Sequence, residues 1–396
     1  MSYFPKHRVR GFSLVELMVS VVIGLIALSF ATRMMVSAER TKQTTVGASD
    51  SMQNGMQALF SINRDAAQAG WGLNDPLIGG CDTIFNIDGS TYALPTAPRG
   101  AATIRPMSAV LITSNGNAPD ELSLYAGSSP SGTGSVGLGA NYTGGTVIGV
   151  DRLAFNFRSG DAILVVPDRS DVRCSIAELS EGPRLVSGVQ QLIINTSGTR
   201  LNRSTGLGQN YTSGVTRIFN LGRSADLAFH TWSIQGGFLR LRATNLAGAL
   251  NSALPVIDNI VTLKAQYGFD NRSAASFVPE AGLQIGSWSP IMIDADGDGV
   301  VGGPGDYARI AAIRLGVVAR GKQAERPDAA TGKCKATDEA DAPQLFTQNL
   351  PQGVATVTVT PTITVAGDSL HWTCYRYRVF ETIVPMRNLA WRPTSL

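Results

Sequence analysis

Gly11-Phe12-Ser13-Leu14-Val15-Glu16-Leu17 opens an apolar run behind a basic leader that holds Lys6, His7, Arg8 and Arg10. The run carries no charge from Leu17 to Thr32. Counted from Phe12 it reaches about 20 residues, the length a helix needs to cross a bilayer. No small-x-small site closes it, as one would close a secretory signal peptide. Beyond Arg33 the chain continues through Glu39, Arg40 and Lys42 with no proline before Pro76, so span and polar extension fit one helix. The basic residues in front predict a cytoplasmic N-terminus. Glu16 is the anomaly: a carboxylate in an apolar helix costs about 2.5–3.5 kcal/mol on insertion scales, so it either snorkels to the headgroups or has a partner.

This stretch resembles the class III signal of type IV prepilins and type II secretion pseudopilins. The resemblance implies that a membrane prepilin peptidase cuts between Gly11 and Phe12, that Phe12 becomes the N-methylated terminus, and that Glu16 is the acid used in filament assembly. The freed amine of Phe12 is then expected to pair with Glu16 of a neighbouring subunit. That pairing offsets the cost of burying the charge and fixes the axial stagger between subunits.

Further stretches resemble the PilW-like minor pilins: Arg64-Asp65 with Ala69-Gly70-Trp71-Gly72 and Cys81; Gly160-Asp161-Ala162-Ile163-Leu164-Val165; Tyr267-Gly268-Phe269-Asp270; and Thr382-Ile383-Val384-Pro385-Met386-Arg387-Asn388. They imply a minor pilin that primes pilus assembly at or near the tip and supports twitching motility, adhesion or DNA uptake. Its partners would be the prepilin peptidase, other major and minor pilins and the inner-membrane assembly platform. The chain would sit in the inner membrane with its head outside the cytoplasm, and later on the pilus. A large pseudopilin of a type II secretion system shares the same leader and Glu16, and a tip adhesin or DNA receptor is a third reading.

The expected class is α+β: leader 1–11, a long helix 12–70 with 12–34 in the membrane or filament core, and an antiparallel β-rich head 71–396. Met52, Met56, Leu59 and Ile62 recur at helical intervals and predict the face laid on the head. Gly70 and Gly72 supply the stop. Strands are predicted at 108–113, 121–125, 161–166, 190–195, 231–235, 238–243, 260–267, 308–319, 354–365 and 375–385. The stretch 128–145, rich in glycine and serine, reads as a surface loop.

Of the 396 residues, 43% are hydrophobic and 16% charged, which excludes a disordered chain. A net charge of +3 creates no global field for nucleic acid. The three histidines lie far apart, so catalysis of the Ser-His-Asp type is not expected, nor any organic cofactor. Cys81, Cys174, Cys334 and Cys374 make an even set in a part expected outside the cytoplasm, which favours disulfides of three possible connectivities. The resemblance favours Cys334 with Cys374, since a C-terminal disulfide loop is common among pilins. Cys81 with Cys174 is the pairing favoured for the other two.

Asp294-Ala295-Asp296-Gly297-Asp298-Gly299 matches the first half of an EF-hand loop. Its twelfth position is Gly305, Asp306 follows, and the flanks 290–293 and 308–315 read as strands. The expectation is a structural calcium ion held by Asp294, Asp296, Asp298 and Asp306, against an acidic solvated turn. Two apparent nucleotide motifs, Gly132 to Gly137 and Gly316 to Lys322, lack their strand-and-helix context. Arg376, Arg378, Arg387 and Arg392 among Tyr375, Tyr377, Phe380 and Trp391 suggest single-stranded DNA, but alternate residues of a strand commonly face solvent and core in turn.

Overall fold

The computed structural model describes residues 13–130, 134–169, 171–328, 330–331, 334 and 336–390. One helix, Leu14–Gln68, leads into a large, mostly antiparallel β head, so the class is mixed α+β. The chain forms two compact units, Met1–Asp50 and Ser51–Leu396, and the boundary falls inside the helix.

In the first unit, Leu14–Glu39 is apolar, long enough to cross a membrane, and has none of its surface buried by the protein. In the second unit, the helix ends where Gly70 takes a left-handed φ of 84° and Gly72 one of 71°. Glycine reaches that conformation at no steric cost.

A six-stranded sheet runs in the order Pro106–Met107, Cys81–Ile84, Cys174–Glu178, Asp161–Pro167, Thr216–Arg223, Ser135–Gly137. Its pair Cys81–Ile84 with Cys174–Glu178 is parallel. A five-stranded sheet orders Leu254–Asp258, Phe238–Ala243, Ala228–Gln235, Glu121–Ala126 and Val110–Thr113. A four-stranded sheet orders Ser287–Ser289, Ile260–Phe269, Ile310–Arg320 and Tyr377–Pro385. A three-stranded sheet of Val147–Val150, Val189–Ile193 and Glu181–Val186 completes the larger set.

Several strands are buried along their whole length because both faces are covered. In Asp161–Pro167 the side chains of Ala162, Leu164 and Val166 enter the main core, whereas Ile163 and Val165 enter a second core with Ile148, Leu192 and Ile218. The two-residue period of a strand makes this division.

Two expectations fail here. The 128–145 stretch is no loose excursion: Val136, Leu138 and Tyr142 are buried in the second core, and Ser135–Gly137 pairs with Thr216–Arg223. The 354–365 stretch forms no strand. Its β-branched residues leave it extended, but Val357 O accepts the Gln266 side-chain amide at 2.8 Å and Thr362 N–H goes to Asn117 O at 2.7 Å. Only the bridge between Leu345 and Val359 remains of a ladder.

Candidate functional site

The predicted processing site, Gly11 and Phe12, lies outside the described residues. Glu16 sits in the first turn of the described helix, where a negative charge suits the unpaired N–H groups of a helix start. Around it Leu14, Val15, Leu17 and Met18 are all exposed. A charged group on an otherwise apolar, unburied helix needs a counter-charge from outside its own fold once it leaves water.

From Ser51 onward the helix belongs to the head. Its buried residues are Ser51, Gly55, Ala58, Ile62 and Asp65, three and four apart, together with Ala66. Of the expected contact residues only Ile62 is fully buried; Met52 and Met56 are 48% and 54% exposed. The physical reason is room. A Cβ built on Gly55 would overlap the Phe380 ring, so at this position the helix lies too close to the head for a side chain, whereas Ile62 further along has room.

Polar contacts then fix the helix. Asn54 donates its side-chain amide to the Asp258 carboxylate at 2.8 Å. Asp65, buried, accepts at Oδ2 from Trp232 Nε1 at 2.9 Å and lies 2.8 Å from His230 Nδ1. Sequence reading singled out Arg64-Asp65 without giving Asp65 this role. The signal was there: one carboxylate at a buried position of a small-residue face.

The structure joins Cys81 to Cys174, with Cα atoms 6.0 Å apart, and Cys334 to Cys374, at 4.7 Å. The first links the two parallel strands; the second closes a loop with a sequence separation of 40.

The acidic loop is ordered by its own backbone. Asp306, buried, accepts at Oδ1 from the N–H groups of Ala295 and Asp296 and at Oδ2 from those of Gly302 and Gly303. Asp294 accepts from Gly297 and Gly299. Carboxylate oxygens of Asp294, Asp296 and Asp306 lie within 4.8 Å of one another. Asp298 is outside this group, and its Oδ1 accepts from Val300 N–H at 2.7 Å. Burial raises the pKa of both Asp306 and Asp296, and the crowded carboxylates add to it. Of the two expected flanking strands the second is present, as Ile310–Arg320, but 290–293 is irregular, and Asp306 lies in the one-turn helix Pro304–Ala308. All the donors are hard oxygens, which suits calcium, with main-chain carbonyls or water needed to complete six to eight ligands.

Arg376, Arg378 and Arg387 are exposed, but Tyr375 is buried under the Arg320 guanidinium and Phe380 faces the helix. Trp391 and Arg392 lie outside the described residues. The described rings thus pack inward.

Two family models match the sequence. A prokaryotic N-terminal methylation motif takes in residues 6–32. A model described as Type IV Pilus-assembly protein W takes in residues 234–388. Together the two matches support a PilW-like type IV pilin. No curated protein and no solved structure matches it.

Laid on the pilin's fold, the second match begins within the Ala228–Gln235 strand and ends at Asn388. It contains the whole four-stranded sheet, the acidic loop and the Cys334–Cys374 disulfide. Asp65 lies outside it, and so does the second core. The methylation motif implies processing by a prepilin peptidase, anchoring in a membrane and assembly with other pilins.

Proposed function

We propose that this pilin is a minor subunit of a type IV pilus, with a structural role in priming assembly at or near the tip. The observation that carries the reading is Glu16 in an apolar helix that nothing in its own fold covers, joined to a head far larger than the helix. Such a helix finds its apolar and charged partners in a bundle of like helices. The two disulfides support a head outside the cytoplasm, where cystines persist. The role requires subunit contacts and no catalysis. A deletion strain and its complement, scored for surface pili and for secreted protein, test it. Loss of pili with secretion intact is the expected result; normal pili with lost secretion transfers the chain to the secretion pseudopilins.

A second reading concerns the head alone. The convergence of Asp294, Asp296 and Asp306 around a loop with a half EF-hand pattern supports a structural calcium ion at that place.

A further inference from the structure

His230 stands between two acceptors. Its Nδ1 lies 2.8 Å from Asp65 Oδ2, and its Nε2 lies 2.8 Å from Asn245 Oδ1. A neutral imidazole carries hydrogen on one nitrogen and satisfies one acceptor; only the doubly protonated ring satisfies both. Asp65 has the complementary need. It is buried, and its other side-chain donor, Trp232 Nε1, is neutral. A buried carboxylate is strongly favoured by an opposite charge in contact.

The surroundings of the ring are simple. In the two flanking strands the register partners of His230 are Ala243 and Leu124, both apolar. From the helix, Asp65 and Arg64 face it, the latter opposing a positive ring. Burial also works against the charge, but the hydrogen bond and charge of Asp65, with the Asn245 contact, outweigh both, and the pKa of His230 is raised above its ordinary value.

We propose that the Asp65–His230 ion pair is a pH-responsive fastening of the head's helical segment, from Ser51 to Gln68, onto the Ala228–Gln235 strand. It holds while His230 is an imidazolium and loosens when the ring gives up a proton. The sign follows from linkage. A group whose pKa is raised on folding adds stability that is complete below its unfolded value and is lost as pH rises through its folded value. The neutral ring keeps one hydrogen bond and Trp232 keeps its own, so the change is a local loosening rather than unfolding.

The test uses the full chain in detergent micelles with histidine carbon-13 labelled at Cε1. The sequence has three histidines, and His230→Gln identifies the signal of interest. His230 is expected to titrate above the ordinary histidine value, and Asp65→Asn to bring its midpoint down. Amide-exchange protection of 51–68, corrected for intrinsic exchange, should fall about tenfold as pH crosses the wild-type midpoint, the effect of losing one charge-assisted hydrogen bond. In His230→Gln, protection should not change with pH. A His230 midpoint at or below the ordinary histidine value overturns the proposal, because Asn245 then donates its amide to a neutral ring. Protection that stays flat across the midpoint overturns it too. Both wild-type measurements stand even where Asp65→Asn does not fold.

Discussion

The side-chain amide of Asn388 donates to the main-chain carbonyl of Gln68 at 3.1 Å and to that of Ala69 at 3.0 Å, so a residue near the far end of the sequence caps the long helix. Helices leave their last carbonyls without partners. Here Gly70, in a left-handed turn, sends its N–H to Tyr125 O at 2.8 Å and not back into the helix. Gln68 O also accepts from Trp71 N–H at 3.3 Å, so the donor that Asn388 adds matters most for Ala69 O, and Asn388 is held in place by the one-turn helix Arg387–Ala390.

Asn388→Ala is accordingly expected to destabilise the head by about 1 kcal/mol, the cost of leaving the Ala69 carbonyl without its donor. Asn388→Asp should cost more, because it sets a negative oxygen against the negative end of a helix. Denaturant unfolding followed by tryptophan fluorescence measures both. Equal stability of wild type and Asn388→Ala would show that water replaces the cap without loss.

Gly55→Ala sets two effects against each other. Alanine gains about 1 kcal/mol of helix propensity over glycine. Its Cβ, however, meets the Phe380 ring at 2.1 Å, and overpacking of that kind costs about 1–3 kcal/mol. A net loss is expected, and Gly55→Ala combined with Phe380→Ala should lose less than the sum of the two single changes. Met56→Ala, one position along and exposed, should stay within about 0.5 kcal/mol of wild type. A stabilising Gly55→Ala would mean that Phe380 swings aside freely.

These contacts show where sequence pattern is informative and where it stops. Phe238–Ala243 alternates between buried and partly exposed residues and was legible to the residue. Ile310–Arg320 was legible as a run because both its faces are covered. The helix face is legible at Leu59 and Ile62, which pack on the core, but not at Gly55 and Ala58, because apolar periodicity points to Met52 and Met56 rather than to small residues. The 354–365 stretch has strand composition, yet the Gln266 side-chain amide takes up the Val357 carbonyl and Asn349 Oδ1 the Thr356 N–H that a ladder would use. Pairing depends on what lies opposite, and that information is distant in sequence. The same holds for Asp65, whose partners are 165 and 167 residues away.

Replacing Glu16 separates processing from assembly. Glu16→Val removes the charge and keeps an apolar helix, so cleavage after Gly11 and membrane insertion should persist while incorporation into filaments falls. Immunoblots of mature protein in membranes and in sheared pili read the two steps separately. Wild-type amounts of Glu16→Val in sheared pili would remove the register role assigned to the carboxylate.

The acidic loop offers the sharpest ligand test, because its two readings differ in sign. Without a cation, gathering Asp294, Asp296 and Asp306 costs mutual repulsion, and the backbone N–H groups bound to Asp306 only partly offset it. With calcium the same gathering is stabilising, by RT ln(1 + [L]/Kd), or about 2.7 kcal/mol at a hundredfold excess over Kd. The melting temperature should therefore rise in calcium over chelator, and less in magnesium, which prefers six ligands in tight octahedral geometry. Asp294→Asn should weaken the calcium effect while raising stability in chelator, since it removes one of the repelling charges. Equal melting temperatures in calcium and chelator would leave the loop as a solvated turn held by its own main chain.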